Sequence, residues 1–301
     1  MSTSYVFPGQ GSQFVGMGRD LAQIRPIVRG TFERADEALH IKLSQLCWEG
    51  PELELGDTVN TQPAIFTHSL AVHAALVMSG DYPAPAFLAG HSLGEFSALC
   101  AAGALTFEDG AKLVRERGRL MKWAGTQQPG SMAAVLGLDA NMLATICAEA
   151  SASVSSPAVV VANDNCPGQI VISGGKEAVA AAGSLAKSRG AKRVLPLNVS
   201  IAAHSPLMNS VSADFAKLIE VTQFTVAQVP VIANTSVLPI SHPDDIRAEL
   251  CAQLTSAVRW TETVQYMVAQ GVTDFIEIGP KDVLSNLIKR TKDGVTTQAI
   301  G

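Results

Sequence analysis

Apolar and polar positions change their period repeatedly along this chain, and the changes mark alternating strands and helices. Short apolar runs read as strands, Tyr5-Val6-Phe7 and the buried-looking Pro85-Ala86-Phe87-Leu88-Ala89, and Arg193 to Val199 (RVLPLNV) is strand-like. Longer segments between them carry apolar and small residues at helical spacing, as in Leu70 to Met78 (LAVHAALVM) and Gly94 to Ala104 (GEFSALCAAGA). Such alternation, with no internal repeat and no long linker, predicts an α/β fold. Gly130 to about Val199 has a pattern of its own: strand MAAVLGL, helix Asn141 to Ala150, strands VVVAN and QIVISG, helix Lys176 to Arg189, and strand RVLPLNV. This β-α-β-β-α-β order is ferredoxin-like. The expected organisation is a large α/β domain of residues 1–127 and 200–301, interrupted by a small ferredoxin-like subdomain of residues 128–199, with a cleft between them.

Between the apolar run ending at Ala89 and the helical segment from Gly94 stands Gly90-His91-Ser92-Leu93-Gly94. G-x-S-x-G places a serine on a sharp strand-to-helix turn with its hydroxyl exposed, the nucleophile elbow of hydrolase-like parallel sheets. Ser92 would then sit at a helix N-terminus, where free N–H groups and the dipole favour developing negative charge. Taken alone, the motif fits a small-residue turn with an idle serine equally well.

A serine hydroxyl needs a base within hydrogen-bond reach to act as a nucleophile at neutral pH. Of six histidines, His91 adjoins Ser92 but should point away from it; His40, His68 and His242 lie in helical or loop-like polar surroundings, and His73 in an apolar helix. His204 is different. It follows the strand-like run Arg193 to Val199 and begins His204-Ser205-Pro206-Leu207-Met208, where proline opens a helix. A histidine at the end of a strand, downstream of the elbow, stands where a hydrolase-like base is expected. On local pattern alone, a structural role for His204 is as good a reading.

Motifs in a fixed order extend the argument over nearly the whole chain: FPGQGSQ (Phe7 to Gln13), TQPAIF (Thr61 to Phe66), GHSLGE (Gly90 to Glu95), Arg117-Gly118, N-x-PGQ (Asn165 to Gln169), AHSPLM (Ala203 to Met208), Gln253-Leu254 with Val258-Arg259-Trp260, and EIGP (Glu277 to Pro280). In this order they resemble the malonyl-CoA:acyl carrier protein transacylases, free-standing acyltransferases of fatty-acid or polyketide synthesis. The resemblance implies Ser92 as nucleophile, His204 as base, the backbone N–H groups of Gln10 and Leu93 as oxyanion hole, and the backbone carbonyl of Gln253 as the group orienting His204. Local chemistry agrees: Leu93 follows the nucleophile at a helix start, and Gln10 lies in a Pro-Gly-Gln-Gly loop that lets backbone approach a ligand. Asp109, Asp139 and Asp164 lie between Ser92 and His204 without the pattern of a third triad member, so a Ser-His dyad is expected.

In the family, the arginine at position 117 grips the free carboxylate of the malonyl group, a task suited to a planar guanidinium. At helical spacing Arg115 and Arg119 share a face and Arg117 points elsewhere. Two departures from the family pattern stand out. Ala203 precedes the histidine where malonyl-selective modular members carry a bulky aromatic, which leaves room for branched malonyl groups. Lys281-Asp282 replaces the usual Gly-Lys, a loop variation.

Composition narrows the partners. A chain of 301 residues, 47% hydrophobic, can bury a large core. No apolar run is long enough for a membrane span and MSTSYVFPGQ lacks signal-peptide character, so a cytoplasmic enzyme with no membrane partner is expected. Five scattered cysteines lack zinc spacing and read as reduced thiols, with no metal expected. A net charge of −5 argues against nucleic acid. It also means that coenzyme A and an acidic carrier must be met by local clusters, either Lys187, Arg189, Lys192 and Arg193 or Lys289, Arg290 and Lys292. No permanent cofactor is implied: malonyl-CoA is the substrate and the carrier protein brings the phosphopantetheine. Two other readings stay open: a proofreading hydrolase acting on acyl carrier proteins, against which Arg117 argues, and a non-catalytic carrier-docking module, which would not need Ser92 and His204 together.

Overall fold

The computed structural model describes residues 2–197, 199 and 201–301. In chain order the strands among them are β1 (Ser2–Phe7), β2 (Phe87–Gly90), β3 (Gly130–Leu136), β4 (Val160–Cys166), β5 (Gln169–Gly175), β6 (Arg193–Pro196), β7 (Val231–Ile232), β8 (Pro239–Ile240), β9 (Val272–Ile278) and β10 (Thr296–Ile300). They form two sheets, β10-β9-β1-β2-β7-β8 and β4-β5-β3-β6.

The larger sheet is parallel throughout except at its edge, where β7 and β8 pair antiparallel. Helices cover both faces, so β1 is buried along nearly its whole length, its polar Thr3 and Ser4 as well as Tyr5-Val6-Phe7. The helix Thr58–Ser79 is buried on every side from Thr61 to Val72, including the polar Thr61, Gln62, Thr67, His68 and Ser69, so its middle runs through the core. Its Asp57 side chain accepts the Val59 N–H and caps the start. His68, expected in polar surroundings, lies in this core instead. Burial holds both His68 and His73 down to about 4, so both are neutral, and His73 packs edge-on against Tyr5 and Phe7.

The helix Phe107–Gln127 is amphipathic in the way that matters for the site. Thr106 caps it by accepting the Asp109 N–H, and Glu108 and Asp109 complement the dipole in its first turn. One face exposes Lys112, Arg119 and Lys122; the other buries Leu113, Leu120, Met121 and, among them, Arg117.

The smaller sheet is antiparallel throughout, and its order is that of a ferredoxin-like β-α-β-β-α-β unit. Alternation divides its side chains. Ala133, Val135, Ile170 and Ile172 pack under the helices Ala140–Ser153 and Lys176–Ser188, while Met132, Ala134 and Val171 turn to the opposite face. Asp139 accepts the Met142 N–H and caps the first of those helices. The chain is thus α/β with a hydrolase-like parallel core and a separate ferredoxin-like sheet. Among the described residues, no helix is long and apolar enough to cross a membrane.

Candidate active site

Ser92 sits on a strained turn. β2 ends at Gly90, a helix runs from Gly94 to Ala101, and Ser92 between them has φ 52, a left-handed value that costs a non-glycine residue about 1–3 kcal/mol. The turn closes only because Gly90 and Gly94 face each other: a Cβ on Gly90 would come within 1.9 Å of the Gly94 carbonyl carbon, and one on Gly94 within 2.0 Å of the Phe7 oxygen. Asn234, which follows β7, clamps the turn. Its Oδ1 accepts the Ser92 N–H at 2.8 Å and its Nδ2 donates to the Gly90 carbonyl at 2.7 Å.

His204 meets Ser92 from the other side, with Nε2 2.8 Å from Ser92 Oγ. It does not stand at a strand end as expected. β6 stops at Pro196 and belongs to the antiparallel sheet, and His204 lies further on, in a turn with φ 55, just before the 3-10 helix Pro206–Met208. The sequence-predicted extension of that strand includes Asn198, which lies outside the described residues. The imidazole is oriented by carbonyls: Nδ1 lies 2.9 Å from Gln253 O and 3.1 Å from Ser256 O. Both can only accept, so Nδ1 carries the proton and Nε2 presents its lone pair to the serine. Asp109 and Asp139 serve as helix-capping partners, and Asp164 accepts from Thr261 at 2.6 Å. Burial above all, then the charge of Arg117 and the neighbouring His91, hold the His204 pKa down to about 3, against the hydrogen bonds to Gln253 and Ser256.

Arg117 is 1% exposed and reaches the same point. Nη2 donates to Ser92 Oγ at 3.1 Å and to Gln253 Oε1 at 2.9 Å, and Nη1 donates to Gln62 Oε1 at 2.9 Å. The ring of Phe96 lies 5.6 Å beneath the guanidinium carbon. Burial pulls its pKa to about 10, with Glu95 opposing, so Arg117 stays a cation at neutral pH. Gln253 is the hub: its Nε2 donates to Ser92 O at 2.9 Å and also to Glu95, while its own carbonyl holds His204. The fully buried Glu95 also accepts the Asn234 N–H at 3.0 Å. Burial and then Glu249 push its carboxyl well up, against the hydrogen bonds from Asn234 and Gln253 and the charge of Arg117.

Ser92, His204 and Arg117 line a cleft of about 300 Å³. Gln10, Ser92, Leu93, Arg117 and His204 form one wall; Met132, Ala134 and Val171 of the smaller sheet form the other, with Ala203 beside the histidine. Leu93 opens the elbow helix, and among the described residues neither its backbone N–H nor that of Gln10 is spent on a protein acceptor. Lys281 adopts φ 65, a left-handed conformation that glycine takes without strain, and nothing in the structure explains the lysine there. Asn234, Glu95 and Gln62 were not singled out from the sequence, nor was the His91 Nε2 to Asn165 Oδ1 contact at 2.8 Å. The available signals were an amide ending the apolar run Val229 to Ala233 and an acid inside an otherwise small-residue helix.

Comparison with known proteins gives one consistent result. The family model described as an acyl transferase domain matches residues 4–300. A malonyl CoA-acyl carrier protein transacylase of Bacillus subtilis is 45% identical over 297 residues, 99% of this chain and 92% of that protein. The crystal structure of an acyl carrier protein S-malonyltransferase from Vibrio cholerae superposes with TM-score 0.95 at 43% identity, covering 100% of this chain and 97% of the other. A malonyl-transacylase solved in complex with a type II polyketide acyl-carrier protein gives TM-score 0.96 at 41% identity, covering 100% and 96%.

Proposed function

The chain belongs to the malonyl-CoA:acyl carrier protein transacylase family, and on that premise we propose that it moves a malonyl group from coenzyme A to the phosphopantetheine thiol of an acyl carrier protein through a Ser92 acyl-enzyme. One observation carries the reading: Ser92 Oγ lies within hydrogen-bond distance of both a base, His204 Nε2, and a buried cation, Arg117 Nη2. His204 takes the serine proton as Oγ attacks the thioester carbonyl. The N–H groups of Gln10 and Leu93 stabilise the oxyanion. Collapse expels the coenzyme A thiolate, which receives the proton from His204. The carrier thiol then repeats these steps in reverse, in a ping-pong sequence. A thiolate leaves readily, so a histidine held by the Gln253 carbonyl suffices without a carboxylate.

Arg117 holds the malonyl carboxylate in this scheme, its two terminal nitrogens exchanging Ser92 Oγ and a glutamine for carboxylate oxygens. A hydrolase unloading neutral acyl chains has no use for that cation. The division into residues 1–127 and 200–301 with 128–199 inserted is part of the proposal, because the apolar wall of the smaller sheet closes the cleft over Ser92. For the carrier, the reading favours Lys289, Arg290 and Lys292: Arg290 donates to Gln169, which lines the cleft, whereas Arg189 in the other cluster is already paired with Glu149. Such an enzyme works in the cytoplasm, where carrier proteins are charged.

Mixing the protein with malonyl-CoA and a phosphopantetheinylated carrier tests the function. Malonyl should accumulate on the carrier; release of free malonate instead identifies a hydrolase, and untouched malonyl-CoA a docking module. Ala203 sets the tolerance for branching. Methylmalonyl-CoA should react at a measurable fraction of the malonyl rate, and Ala203→Phe should shift kcat/KM towards malonyl by about 1–3 kcal/mol, the effect of one methyl group in an apolar pocket. A ratio that phenylalanine leaves unmoved removes Ala203 from selection.

A further inference from the structure

Arg117 is aimed at the nucleophile as well as at the space where a substrate would lie. We infer that Arg117 restrains Ser92 until a carboxylate arrives, so that the free carboxylate of the substrate accelerates the acylation step itself in addition to anchoring the acyl group. The inference rests on the reading of Arg117 as the carboxylate anchor.

The geometry is that of a shared oxygen. Ser92 Oγ has one proton and two lone pairs; the proton points to His204 Nε2 at 2.8 Å, and Arg117 Nη2 donates to a lone pair at 3.1 Å. That leaves one lone pair, and attack on a carbonyl must either use it at the angle left over or displace the guanidinium. Charge acts in the same direction. As the O–C bond forms and the C–S bond breaks, negative charge leaves Ser92 for the oxyanion and then for sulfur, while the serine proton resides on His204 before passing to the departing thiolate. At that stage an imidazolium stands in a buried site beside the Arg117 cation. The titratable groups facing the pair are His91 on the turn after β2 and Glu95 on the elbow helix, with Glu249 on the helix Pro243–Gln253 behind Glu95. Glu95, the acid nearest Arg117, spends its oxygens on the Asn234 N–H and on Gln253 Nε2 rather than on the guanidinium. A bound carboxylate supplies the missing negative charge and gives the guanidinium another acceptor, freeing the serine lone pair. Arg117 Nε, buried and without a partner among the described residues, is a further donor for it.

Formate tests this on the native protein. Acetyl-CoA and formate together are malonyl-CoA cut between its α-carbon and its carboxylate, so formate can occupy the anchor while acetyl occupies the elbow. Acetylation of Ser92 is followed by rapid quench and intact-protein mass at saturating acetyl-CoA, fixed pH and fixed ionic strength. Formate should raise the rate saturably, by roughly three- to tenfold if neutralising one nearby charge restores about a unit of basicity to His204. Chloride and neutral formamide should not, and Arg117→Gln should abolish the response. No acceleration by formate, or equal acceleration in the Arg117→Gln protein, overturns the inference. If Arg117→Gln loses its preference for malonyl-CoA while formate leaves the native rate unchanged, the anchor stands and the restraint falls. If that variant keeps its malonyl preference, the anchor falls and the inference with it.

Discussion

Replacing Ser92 with alanine should leave no covalent malonyl on the protein and should not lower its thermal midpoint. The substitution removes one oxygen whose partners, His204 and Arg117, both keep other hydrogen bonds: His204 to the Gln253 carbonyl, Arg117 to Gln62 and the Gln253 side chain. The strained φ of 52 is retained, and so is the Asn234 clamp, because that clamp uses the Ser92 backbone rather than its side chain. His204→Ala should slow acylation by about 10²–10⁴-fold, the contribution of a general base. The adduct should still form slowly, because the oxyanion groups and the anchor remain. Rapid-quench measurement of adduct formation in both variants, with melting curves alongside, checks the pair. Full-rate labelling of the Ser92→Ala protein would remove the serine from the chemistry.

Arg117→Ala carries the second large effect, and it depends on the substrate. A carboxylate paired with a buried guanidinium and then deprived of it loses about 2–5 kcal/mol, so malonyl-CoA should lose roughly 30- to several thousand-fold in kcat/KM. Acetyl-CoA has no carboxylate to strand. Its kcat/KM should hold or rise, and the ratio between the two substrates should collapse. The alanine also leaves Gln62 Oε1 and Gln253 Oε1 without their donor. Some loss of stability, about 1–3 kcal/mol for each buried acceptor that water does not reach, should accompany the kinetic change. Arg117→Lys should recover only part of the malonyl rate, since an ammonium cannot reproduce the fork. Parallel kcat/KM measurements with malonyl-CoA and acetyl-CoA decide the point. An unchanged ratio would return Arg117 to a structural role.

What could be read from the sequence was what local pattern encodes. The elbow was legible because a glycine pair around a serine is a backbone requirement, visible as the 1.9 Å and 2.0 Å approaches that any side chain at Gly90 or Gly94 would create. The smaller sheet was legible because its alternation sorts Val135 and Ile172 from Met132 and Val171, with helices of ordinary length between. Arg117 stood apart from Arg115 and Arg119 by helical phase alone. His204 is brought to Ser92 on a different support from the expected strand end: β6 ends early, and the turn with φ 55 that presents the imidazole has no strand or helix period to betray it. The edge pair β7 and β8, two residues each, is too short for any periodicity. The roles of Asn234 and Glu95 were hidden for a different reason, although an amide after an apolar run and an acid in a small-residue helix were visible. Their meaning lies in partners far along the chain: Asn234 holds Ser92 across 142 positions, and Glu95 holds Gln253 across 158.

The central claim is that Ser92 carries the acyl group between two thiols. Intact-protein mass spectrometry after brief mixing with malonyl-CoA, followed by peptide mapping, tests it most directly. The account predicts one malonyl unit on the peptide containing Ser92, discharged to the carrier's phosphopantetheine when carrier protein is added. No adduct, an adduct on another residue, or an adduct that persists in the presence of the carrier would contradict it.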